Sequence, residues 1–73
     1  MTDQIANFDI IACRRADGRY DVKQMTPGGH FILIREGPFD AAHAATAARQ
    51  IAEREGSEAW IEHSDGAYMC LNS

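Results

Sequence analysis

Apolar and polar positions along this chain follow a strand period, switch once to a helical period, and then switch back. Phe8-Asp9-Ile10-Ile11-Ala12-Cys13 is nearly continuous in apolar side chains and has strand composition. Tyr20-Asp21-Val22-Lys23 alternates, apolar on one side and charged on the other. Phe31-Ile32-Leu33-Ile34 is apolar on both faces. Ala16-Asp17-Gly18-Arg19 and Thr26-Pro27-Gly28-Gly29 supply the intervening turns, and Gly37-Pro38 is expected to end the third strand because proline cannot donate to a ladder. From Phe39 to Gly56 the period is helical. Ala41, Ala44, Ala45, Ala48, Ile51 and Ala52 fall on one narrow stripe, leaving His43, Arg49, Gln50, Glu53 and Arg54 to solvent. Asp40 is the N-cap, Phe39 is placed to staple onto Ala44, and Gly56 suits the left-handed position after the helix. A last hairpin joins Ala59–His63 to Ala67–Leu71 through Ser64-Asp65-Gly66. The order β-β-β-α-β-β predicts an α+β fold, one helix packed on one face of an antiparallel sheet, with residues 1–73 as a single domain.

Size narrows the function. A chain of 73 residues buries only about 60% of its unfolded surface, which leaves no room for a deep catalytic cavity. Its 45% hydrophobic and 25% charged residues argue against wholesale disorder. The net charge of -4 is unevenly placed: residues 1–35 carry five basic and four acidic side chains, residues 36–73 two basic and seven acidic. An acidic half disfavours non-specific nucleic-acid binding and suits a basic protein partner. Met1-Thr2-Asp3-Gln4 lacks a basic n-region and an apolar h-region, and no apolar run approaches the roughly 20 residues of a membrane span, so a soluble cytoplasmic protein is expected.

Chemistry-bearing side chains are sparse. Cys13 and Cys70 show no CxxC spacing and are expected as buried, reduced thiols, with their proximity left open. His30, His43 and His63 share no metal-ligand spacing with each other or with the cysteines. Thr26-Pro27-Gly28-Gly29-His30 joins two strands, whereas a phosphate loop needs a helix N-terminus behind it. Asp65-Gly66 reads as turn chemistry. No catalytic, cofactor-binding or metal-binding residue is assigned, and an enzyme is not expected. Arg14, Arg15, Arg19 and Lys23 around Tyr20 have the makings of a phosphate contact, but the interleaved Asp17 and Asp21 dilute the field and favour a solvated edge hairpin.

Ala44, Ala47, Ala48, Arg49, Ile51 and Ala52, followed by Ser57-Glu58, Ile61, His63 and Asp65-Gly66, resemble the helix-plus-hairpin signature of a small bacterial family, domain of unknown function 2188. Gly18-Arg19-Tyr20-Asp21-Val22-Lys23 resembles that family's first hairpin, and together with Gly29 to Phe39 it is similar to the repeat of YegP-like proteins. The likeness runs from Gly18 to Gly66 and is carried by structural motifs. It departs in the more apolar segment before the first turn, and in the chain's stopping at Ser73 without a polar tail. The resemblance implies an accessory interaction domain, homodimeric, and no catalytic residues.

Side-chain parity then points to a surface. Ala59 and Ile61 share one side of their strand, which puts Trp60 opposite, beside Glu58 and Glu62. Ile10 and Ala12 likewise oppose Ile11 and Cys13, and Phe31 and Leu33 oppose Ile32 and Ile34. A face carrying Trp60, Ile11 and Ile32 would be a larger apolar patch than a monomer normally exposes, with Trp60 as an anchor inside an acidic rim. Gln4-Ile5-Ala6-Asn7 and Met69 are the competing cover from within the monomer. The expected function is a non-enzymatic protein-interaction module acting through the open sheet face, bound to itself or to another protein. The alternative is a small acidic inhibitor resembling phage anti-CRISPR proteins, docked on a basic nucleic-acid-binding protein, with Glu53, Glu55, Glu58 and Glu62 imitating phosphates.

Overall fold

Five strands and one helix are laid out as predicted, with different ends. The computed structural model describes residues 4–71, so the readings placed on Met1-Thr2-Asp3 and on Ser73 lie outside the described residues. The elements are β1 (Ile10–Arg14), β2 (Tyr20–Met25), β3 (Phe31–Phe39), α1 (Ala41–Glu55), β4 (Ala59–Glu62) and β5 (Tyr68–Cys70). They form one sheet in the order β3-β2-β1-β4-β5 with α1 on one side. Three of the four pairings are antiparallel, as expected; β1 and β4 run parallel. The reason is the connection. The helix carries the chain from β3 back across the sheet, so β4 enters in the same direction as β3 and β1, the usual consequence of a helical crossover.

Each hairpin uses the same turn. Arg15, Thr26 and His63 donate their N–H groups to the carbonyls four residues on, of Arg19, His30 and Ala67. Gly18, Gly29 and Gly66 take the left-handed position of a type I turn closed by a glycine bulge. In two of these turns an aspartate finishes the loop: Asp17 accepts from the Arg19 N–H and Asp65 from the Ala67 N–H, both at 2.9 Å.

Strand β3 does not end at Gly37-Pro38 but continues to Phe39, which pairs with Tyr20. Proline is tolerated because β3 is an edge strand, with no strand paired beyond it among the described residues. Its register against β2 shifts twice, between Lys23 and Val22 and between Val22 and Tyr20. Asp21 holds the second irregularity: its Oδ1 accepts the Gly37 N–H at 2.7 Å, and both carboxylate oxygens take Arg15 at 2.7 and 2.9 Å. Gly37 has no alternative there, because a Cβ would collide with the Tyr20 carbonyl oxygen.

Helix α1 begins at the Asp40 cap, whose carboxylate accepts the His43 N–H at 2.8 Å. It closes at Gly56, where Ser57 donates back to the Ala52 carbonyl. Ala44, Ala48 and Ala52 are fully buried, so the helix lies close on β1 and β4. Ala41, expected on that stripe, is exposed, and Ala47 packs in its place. The helix-side core is Ile10, Ala12, Tyr20, Val22, Ala59 and Ile61, with Phe39 stapled against it. No helix among the described residues is long and apolar enough to cross a membrane.

Candidate functional site

Away from the helix, register alone defines the open face. Leu33, Lys23, Ile11, Trp60 and Cys70 stand in one cross-strand row. On one side of it lie Phe31 and Met25; on the other, Asp21 and Cys13, with Glu62 and Tyr68. Trp60 therefore does face away from the helix, beside Glu58 and Glu62, as its parity required. It is nevertheless only 2% exposed, and Ile11 is 0% exposed. The two form a small second core with Cys13, packed by Ile5, Met25, Phe31 and Cys70. Both are corrected as partner-contact residues: the chain's own N-terminal segment lies over them.

Asp9 fixes that cover. It is the one buried charged side chain among the described residues, 4% exposed. Its Oδ2 accepts the Ala6 N–H and the Trp60 indole N–H, each at 2.9 Å, and its Oδ1 accepts the Glu58 N–H at 3.1 Å. Three donors satisfy a carboxylate that would otherwise be costly to bury. Sequence reasoning passed over Asp9. The available signal was an acid inside an apolar strand run, on the same side as a tryptophan whose N–H needs an acceptor.

The remaining expected contacts divide. Ile32, 48% exposed, pairs with Gln24 and so stands on the helix side of the sheet with Ile10; its neighbours Phe31 and Leu33 are the open-face residues of β3. Met69 pairs with Ile61 and also points to the helix side, so it does not cover the open face. The rim acids have internal partners. Glu62 Oε1 accepts the Arg14 N–H at 2.9 Å, and Cys70 Sγ lies 3.9 Å from Glu58 Oε2. Glu53 and Glu55 are exposed on α1, across the sheet from Glu58 and Glu62, so the four acids share no single surface.

Burial pushes the Cys13 thiol up to about 11, with Glu62 and Asp21 adding to it against Lys23, which keeps it protonated at neutral pH. Cys13 and Cys70 are both free. Hydrogen bonds from Arg15 and the Gly37 N–H hold Asp21 down to about 2, and Arg15 is raised in turn. With Arg15 so engaged, the basic hairpin offers a weakened phosphate contact. Tyr68 is raised by burial first and by Glu62 second. No group of three His, Cys, Asp or Glu side chains converges for a metal among the described residues.

On the open face, what stays bare is Leu33, 51% exposed, with Phe31 and Met25 half-buried beside it and Tyr68 exposed at the far edge. No family model, curated protein or solved structure matches this chain, so its function has to be read from that geometry.

Proposed function

We propose that this protein is a non-enzymatic protein-interaction module that binds, first of all itself, through the part of the open sheet face that its N-terminal segment leaves bare. The observation that supports this is Leu33. It is half exposed on the open face, and Phe31 and Met25 beside it are continuous with the buried cluster of Ile11, Cys13 and Trp60. A partner surface laid there extends an existing core instead of starting a new one. Fully burying a leucine side chain contributes roughly 1.5–3 kcal/mol, and a two-fold pairing counts the same patch twice. Lys23, Asp21 and Glu62 supply a polar margin on the same face.

Solution mass by size-exclusion chromatography with light scattering tests it. The expected result is a dimer of the 8.1 kDa chain, reduced to a folded monomer by Leu33→Asp. A wild-type monomer at every salt and protein concentration would retire self-association.

A further inference from the structure

We infer that the cleft between β3 and the C-terminal half of α1 is a second binding site, on the opposite side of the sheet from the open face, and that it takes an extended peptide with one acidic residue. The cleft has a volume of about 250 Å³ and is lined by Gln24, Ile34, Arg35, Ile51, Arg54 and Glu55. It exists because α1 lies over β1 and β4 and barely reaches β3. Ile34 and Ile51 form its apolar floor, packed from below by the helix-side core, and Ile32 extends it along the strand, half exposed. Neither the Arg35 nor the Arg54 guanidinium has an ion pair or a hydrogen bond among the described residues, in contrast to Arg15 with its bidentate aspartate.

The backbone supplies the rest. Strand β3 is an edge, so an added strand finds unpaired main-chain groups along it. Alternate side chains of that strand fall on the helix side. One apolar side chain then meets Ile32, Ile34 and Ile51, and two residues later a carboxylate meets Arg35 and Arg54. The residue between them stands on the open face beside Leu33. The cleft therefore selects the pattern apolar, apolar, acidic. The lining holds two guanidinium groups and the one carboxylate of Glu55, on a chain of net charge -4. Glu53 and Glu55, either side of Arg54, oppose a polyanion such as nucleic acid, so one carboxylate on an apolar strand is the ligand that fits.

The test is a titration of the isotopically labelled protein, followed by amide chemical shifts, with the peptide acetyl-Thr-Ile-Val-Asp-Thr-amide and its asparagine counterpart. Saturable shifts are expected at residues 31–36 and 51–55, with the asparagine peptide at least about tenfold weaker, the scale of one charge-assisted contact. Exchanging both exposed arginines (Arg35→Gln, Arg54→Gln) should leave the fold intact and remove the difference between the two peptides. The inference is overturned by an absence of saturation at millimolar peptide, by shifts centred elsewhere, or by equal affinity for the two peptides. The two peptides meet the same form of the protein, monomer or dimer, so the difference between them reports on the cleft in either case; a wild-type monomer would sink self-association and leave the cleft standing.

Discussion

Trp60 shows how one side chain changes role between the strand and the folded chain. Alternation puts it on the face away from the helix, where it would be an exposed anchor if nothing else arrived. Ile5 and Asp9 arrive: one packs on the ring's cluster and the other accepts its N–H. Trp60→Ala is therefore a stability variant. It should lower the free energy of unfolding by roughly 3–5 kcal/mol, a large share of the 5–15 kcal/mol typical of a domain, read as an early urea midpoint. Trp60→Phe, which keeps a ring but withdraws a donor from Asp9, should cost about 1–3 kcal/mol. Asp21 carries the pH dependence. Its folded carboxyl sits at about 2, below the ordinary aspartate value near 3.9 that it regains on unfolding. Its stabilisation is thus complete above the unfolded value and is lost as pH falls from about 4 to about 2. In Asp21→Asn the urea midpoint should fall less steeply over that window than in the wild type; equal slopes would place the acid sensitivity elsewhere.

At the scale of elements, β3 is where local rules and the fold part company. Its apolar run ends at Ile34, and the pairing beyond it is carried by Asp21, Gly37 and Phe39. Gly37→Ala puts a methyl group into the Tyr20 carbonyl, and the strand must move off β2 to accept it. The expected loss is roughly 1–3 kcal/mol, the usual scale of overpacking, visible as a lowered melting temperature. An unchanged melting temperature would mean that β3 beyond Ile34 contributes little to the sheet. The three hairpin turns are the opposite case, since each repeats one pattern of aspartate or glycine before glycine that fixes its own geometry.

For the whole molecule, the acidic charge is divided between two surfaces. Glu58 and Glu62 lie on the open face with internal partners, and Glu53 and Glu55 lie on the helix. An acidic mimic needs its charges on one surface; association through Leu33 does not. Charges exposed to solvent are screened within about 10 Å at 0.1 M salt, whereas apolar burial is not. The dimer's dissociation constant should accordingly change little as salt rises. A steep loss of dimer with salt would move the interface away from Leu33 and onto charged groups.

Sequence by itself determined the element order, the helix with its Asp40 and Gly56 ends, the three turns, and the side of the strand that Trp60 and Ile11 occupy; on β3 it pointed to Ile32 for the open face, where Leu33 stands instead. All of these rest on period, caps and positive backbone angles within a few residues. Only the tertiary structure decided the parallel pairing of β1 with β4, the course of β3 past proline, and which open-face residues stay bare. Those depend on contacts distant in sequence: a helix that returns the chain across the sheet, and an N-terminal segment held over Trp60 by Asp9. Parity tells which way a side chain points, but the cover that comes to lie on it is set by the rest of the fold.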